Sequence, residues 1–157
     1  MLSVQIPGRG DYAFERLVLN VNGTVAEDGH LIPGVKERLT RLARQVEIIL
    51  VTAESFNQQV AIDRLLEMEA KRLDPKQAEA PQKEALIRSL GSDSAVAIGN
   101  GANDALMLKE AAIGIAVLES EGTALITVQN ADVLARSIVE ALDLLLIPSR
   151  LTSTLRQ

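Results

Sequence analysis

The sequence holds no cysteine and no tryptophan, one tyrosine, two phenylalanines and one histidine among 157 residues. Without cysteine there is no disulfide framework, no thiolate metal site and no catalytic thiol, which is the usage expected of a cytoplasmic protein. With aromatics at 2%, the core has to be aliphatic. The first ten residues lack the apolar run of a secretion signal, so none is expected. The longest late apolar run, Leu144 to Ile147, is far short of the roughly 20 residues that cross a bilayer. A basic face is also missing. The net charge of −5 argues against nucleic acid as a partner, because binding a phosphate backbone needs clustered lysine and arginine.

What is present is 47% apolar residues, arranged in short runs that alternate with amphipathic segments. The length suits one domain over residues 1–157. Leu2 to Ile6 and Tyr12 to Glu15 flank Pro7-Gly-Arg-Gly10 and predict an N-terminal β-hairpin. Arg16 to Leu19, Val46 to Val51, Ser94 to Ile98 and Ile113 to Val117 read as buried strands. Shorter strands are expected near Lys71 to Leu73 and Asp132 to Leu134. Helices are expected from Pro33-Gly34 to about Arg44, from Ser55 to about Ala70, from Gln82 to Leu90, over Leu106 to Ala111, and from Ser137 to Leu146 as the last element. Between the first strand and the first helix, Val25 to Leu31 reads as a small flap turning at Asp28-Gly29. Strands alternating with helices predict a parallel sheet with helices on both faces, a three-layer α/β/α architecture.

Polar loops follow the strands where such sheets place their ligands. The first runs Asn20-Val-Asn-Gly-Thr24. Thr52-Ala53 ends the strand begun at Val46. Lys83 lies just after Pro81 at a helix start, and Gly99-Asn-Gly-Ala-Asn-Asp-Ala105 joins a strand to a helix. Taken singly these signals are uneven. Asn22-Gly23 is also a common hairpin dipeptide, threonine often ends strands, and a helix lysine is usually solvated. Lys71 and Lys76 are poorer candidates than Lys83, and His30 reads as a loop residue. The last of the four strings is the most specific.

In this order the four strings resemble the motifs of the haloacid-dehalogenase-like (HAD) superfamily, and most closely its soluble P-type-ATPase-like branch. Gly114-Ile-Ala-Val and Asn130-Ala-Asp132 resemble segments that follow the fourth motif in that family. The resemblance runs from Arg16 to Leu146 and implies a HAD-like Rossmannoid fold and magnesium-dependent phosphatase or phosphotransferase chemistry through an aspartyl phosphate. It places Asn20 at the nucleophile position and Asn22 at the general acid/base position. Thr52 falls at the hydroxyl donor position and Lys83 at the position of the fixed cation. Gly23, Thr24 and Ala53 join Thr52 and Lys83 around the phosphate. Asn20, the carbonyl of Asn22, and Asn100 occupy the metal-ligand positions, with Asn103 and Asp104 beside them.

The departure from the family is the loss of charge. A carboxamide at residue 20 is a very poor nucleophile, and Asn22 cannot shuttle a proton. Magnesium favours hard oxygens including one or two carboxylates, so these neutral ligands imply weak binding. A natural pseudoenzyme and an Asp→Asn replacement predict the same chemistry here. The expected function is a HAD-like hydrolase domain impaired by Asn20, and the alternative is a non-catalytic phosphate-binding or regulatory module. The gaps between motifs leave no room for a cap domain or for the nucleotide-binding insertion of P-type pumps. An uncapped site suits a phosphorylated ligand or macromolecule, or cover from a second copy in a homo-oligomer.

Overall fold

The computed structural model describes residues 1–53 and 58–157. In chain order the strands and helices are β1 (Leu2–Ile6), β2 (Gly10–Phe14), β3 (Arg16–Asn20), β4 (Ala26–Glu27), β5 (His30–Leu31), α1 (Val35–Leu42), β6 (Glu47–Thr52), α2 (Gln58–Leu66), β7 (Lys71–Arg72), α3 (Glu79–Leu90), β8 (Ala95–Gly99), α4 (Ala105–Glu110), β9 (Ile113–Val117), α5 (Leu125–Gln129), β10 (Val133–Ala135), α6 (Ile138–Leu146) and α7 (Pro148–Leu155).

Six strands form one parallel sheet in the order β10-β9-β8-β3-β6-β7. The inner strands are apolar over nearly their whole length because both faces of the sheet are covered. Side chains still alternate between the faces. Leu17, Leu19, Val96, Ile98, Ile113 and Ile115 share one cluster with Val35 and Leu39 of α1 and Ala141 and Leu142 of α6. Val18, Ala95, Ala97 and Ala116 face the other way, onto Ile87 of α3 and Met107 and Leu108 of α4. Small residues dominate this second face, so α4 sits close to β8 and β9.

The hairpins form as expected. β1 pairs with β2 around Gly8, and β4 pairs with β5 through Asp28 and Gly29. The latter two have φ of 48° and 77°, the paired positive angles of a type I′ turn. His30 is exposed there, with Nδ1 2.9 Å from the carbonyl oxygen of Asp28. In the described residues only this hairpin separates β3 from α1, and only α2 and β7 separate β6 from α3.

Several boundaries differ from the sequence expectations. The helix expected from Ser55 to Ala70 ends at Leu66, because Glu67 takes φ 56°, outside the helical region, and its expected first turn lies outside the described residues. Helix α3 begins at Glu79 rather than Gln82, which puts Pro81 in the first turn, where its missing N–H costs nothing. The helix expected to be last is followed by another. Pro148 opens α7, whose Leu151 and Leu155 are buried, and Thr152 donates to the carbonyl of Gln5 at 2.9 Å, tying the C-terminus to the N-terminal hairpin. Helix α5 was not anticipated either. Among the described residues no helix is long and apolar enough to cross a membrane.

Candidate functional site

Register brings the candidate residues together. Leu19 of β3 aligns with Leu50 of β6 and with Ile98 of β8, so all three strands end at one level. Asn20 is the last residue of β3, Thr52 the last of β6, and Asn100 the first beyond β8.

Beyond Asn20 the chain winds tightly. The carbonyl of Val21 accepts from the amides of Thr24, Val25 and Ala26 at 3.0–3.1 Å, and Gly23 N–H returns to the carbonyl of Ala26 at 2.8 Å. Gly23 has φ 76°, and a Cβ there would lie 2.4 Å from Asn100 Nδ2 and 2.5 Å from Glu121 Oε2. Only glycine fits, on conformation and on space alike.

Lys83 enters from α3 and is wholly buried. Its Nζ lies 2.7 Å from Asp104 Oδ1 and donates to Asn20 Oδ1 at 3.0 Å. Asp104, equally buried, accepts on Oδ2 from the amides of Asn100 and Gly101, both at 3.0 Å. One carboxylate therefore neutralises the lysine and holds the loop after β8 in shape. A Cβ on Gly99 would fall 2.5 Å from Asp104 Cγ, which explains the glycine there.

Asn20 Nδ2 donates toward Asn22 O at 2.7 Å, Thr24 Oγ1 at 3.2 Å and Asn100 Oδ1 at 3.2 Å. Thr24 Oγ1 donates to Asn100 Oδ1 at 3.1 Å, and Asn100 Nδ2 turns outward to the carbonyl of Gly122 at 3.1 Å. Asn22 Nδ2 reaches Thr52 Oγ1 at 3.4 Å. Thr52 is fully buried, and Ala53 after it is half-buried.

The structure thus gathers Asn20, Asn22, Gly23, Thr24, Thr52, Lys83, Asn100 and Asp104. Asn103 stands apart, because its amide nitrogen donates to Glu79 of α3. Thr24 bridges from its own loop to Asn100. Two supports were not picked out from the sequence. The carboxylate of Glu121 lies over Gly23, and Ala124 N–H and Thr127 Oγ1 hold the carbonyls of Asn100 and Gly101. The polar string Glu119-Ser-Glu-Gly-Thr123 after β9 was the available signal.

The donor set can be tested against the magnesium ion that the HAD resemblance implies. Asn20, Asn22 and Asn100 offer only neutral groups, and the nitrogen of Asn20 points at the oxygens of the other two. Asp104 is already engaged by Lys83 and two amides. Among the described residues no cluster of three or more His, Asp or Glu could hold a metal. The residues present do not fit a divalent cation at this point.

No family model matches the sequence. Over 61 residues, 39% of the chain, it is 48% identical to the "Uncharacterized protein MJ0073" of Methanocaldococcus jannaschii and covers 66% of that protein. Over 39 residues, 25% of the chain, it is 46% identical to the "Uncharacterized protein MJ0072" of the same organism, covering 89% of it. Among solved structures, the cobalt-bound deoxy-D-mannose-octulosonate 8-phosphate phosphatase of Haemophilus influenzae superposes with a TM-score of 0.69 at 10% identity, over 92% of this chain and 94% of that one. The 3-deoxy-D-manno-octulosonate 8-phosphate phosphatase of Moraxella catarrhalis, in complex with magnesium, phosphate and KDO, gives 0.67 at 14% identity over 85% and 86%.

Proposed function

From the premise that this chain belongs to one family with the M. jannaschii protein MJ0072 and carries the haloacid-dehalogenase superfamily fold, we propose that its strand-end cluster is a phosphoryl-transfer site of the phosphatase type that lacks its nucleophile. One observation carries the reading. The side chain at the end of the central strand accepts from a buried lysine and donates to Asn100 just beyond β8, while its backbone aligns with Val51 near the end of β6.

Each residue then has a task it can or cannot perform. Lys83 presents a fixed positive charge toward Asn20, where charge would develop in transfer to an attacking group. The hydroxyl of Thr52 is suited to a phosphoryl oxygen, whereas the amides from Gly23 to Ala26 are already given to carbonyls of their own loop. Asn20 cannot attack phosphorus, since its nitrogen lone pair is delocalised into the carbonyl. Asn22 is a carboxamide whose N–H hydrogens are not acidic enough to be exchanged with a leaving group. This form is therefore expected to release no phosphate by the aspartyl-phosphate route. Magnesium dependence belongs to this proposal only once a carboxylate is restored. The order of the four motifs supports the P-type-ATPase-like branch, and the short β4–β5 flap supports an open site that takes a phosphorylated macromolecule or is covered by a second copy.

The test is Asn20→Asp, assayed for magnesium-dependent release of phosphate from a generic phosphoester. Release above the parent chain is expected, and its absence in a folded variant would overturn the assignment. The retention of Lys83 beside residues 20, 22 and 100, none of which is a carboxylate, favours a second reading, a non-catalytic phosphate-binding module. Calorimetry with inorganic phosphate should then show binding that Lys83→Ala removes, and no heat of binding to the parent would eliminate it.

A further inference from the structure

The orientation of the Asn20 carboxamide is decided from outside. The ammonium of Lys83 can only donate, so the Asn20 atom 3.0 Å from it has to be the oxygen. The nitrogen consequently points the opposite way. Asn100 is oriented just as independently: its nitrogen is spent on the carbonyl of Gly122, so its oxygen faces inward. The hydroxyl of Thr24 gives its hydrogen to that oxygen and turns a lone pair toward Asn20. Three oxygens, from a main-chain carbonyl, an amide and a hydroxyl, thus converge on one point. Convergent hard oxygens of this kind are what a small cation takes as ligands. Here the point is filled by Asn20 Nδ2, within 2.7–3.2 Å of all three.

We propose that the carboxamide nitrogen of Asn20 takes the place of a divalent cation, so that this site is assembled and electrically balanced without metal, and that residue 20 alone sets its metal dependence. The two N–H hydrogens carry partial positive charge and satisfy the acceptors a metal would otherwise bind. The buried ion pair of Lys83 with Asp104 leaves no net charge to compensate. A carboxylate at residue 20 reverses the balance. One oxygen would still accept from Lys83, and the Thr24 hydroxyl could turn its hydrogen to the other. That second oxygen would still face the Asn22 carbonyl and the Asn100 amide oxygen in a largely buried pocket, a repulsion that a cation between them relieves. The inference concerns the same cluster as the proposed function but does not depend on turnover, so a failure of one is distinguishable from a failure of the other.

Thermal unfolding of the parent chain, Asn20→Asp and Asn100→Asp, in EDTA and in magnesium at matched ionic strength, tests it. The parent is expected to melt at the same temperature in both buffers. Asn20→Asp should melt lower in EDTA and rise by about 5 °C with magnesium, on the scale at which a domain of this size responds to a ligand. Asn100→Asp keeps the Asn20 nitrogen at the central point, now donating to a carboxylate, and should not respond to magnesium. A parent chain stabilised by magnesium beyond the ionic-strength control, or a folded Asn20→Asp indifferent to it, would overturn the proposal. Should Asn20→Asp fail to fold in either buffer, manganese titration of the parent decides. Unbroadened side-chain NH2 signals of Asn20 and Asn100 are expected, and saturable broadening of those signals would refute the idea.

Discussion

Lys83 Nζ and Asp104 Oδ1 lie 2.7 Å apart with neither side chain reached by solvent. Removing one partner strands a charge in the interior, and the two backbone amides on Asp104 do not replace the lysine. Lys83→Met is expected to destabilise the fold by about 3–5 kcal/mol, as breaking buried pairs typically does. Urea unfolding measures it, and a loss below about 1 kcal/mol would mean that the pair does not stabilise the interior.

The small-residue face of the sheet has one position with no slack. A Cβ on Gly114 would sit 2.3 Å from the carbonyl oxygen of Leu108 and 2.8 Å from its carbonyl carbon. Because the obstacle is helix backbone, it cannot swing aside as a side chain would. Gly114→Ala should cost about 1–3 kcal/mol, the usual penalty for overpacking, with α4 displaced from β9. Denaturant unfolding gives the energy, and amide shifts of residues 105–111 report the displacement.

Thr24 contributes only its hydroxyl to the hydrogen bonding around Asn20, and valine matches its shape. Thr24→Val should cost about 1–2 kcal/mol, because Asn20 Nδ2 and Asn100 Oδ1 keep each other as partners. Equilibrium unfolding of the variant, paired with Asn100→Ala in a double-mutant cycle, should show coupling between the two sites.

A pH-dependent contribution is expected away from the site, at the loop after β9. Glu119 accepts from Ile138 N–H at the start of α6, yet its carboxyl is pushed above the usual range, chiefly by burial and further by the charge of Glu27, against the pull of that N–H. A raised folded-state value means that its stabilising contribution is present at acidic pH and is lost as pH rises through that value. Glu119→Gln retains an acceptor but cannot ionise. Relative to the parent, it should therefore gain stability between weakly acidic and neutral pH and show no such gain at lower pH. Unfolding curves of the two proteins across that range provide the check, and a parallel pH dependence would remove Glu119 as the cause.

Much of the architecture was legible because it depends on local pattern. The apolar runs ending at Leu19, Val51, Ile98 and Val117 can only be strands buried on both faces, and Asp28-Gly29 predicts its own turn. Helix α7 was not legible. Its two buried residues, Leu151 and Leu155, make too narrow an apolar stripe to stand out, and what stabilises the helix is the N-terminal hairpin. The solvated-helix reading of Lys83 was locally as reasonable as the buried one. Nothing within α3 records that Asp104 will arrive to pair with it.

The sequence by itself determined the strand-loop-helix order, the glycines at the close approaches and the absence of a carboxylate at residues 20, 22 and 100, since these are properties of residue type and spacing. Only the tertiary structure decided which way the amide of Asn20 points. That direction is imposed by a lysine 63 residues further along the chain and answered by an asparagine 80 residues away. A carboxamide has a donor end and an acceptor end, and its surroundings select between them.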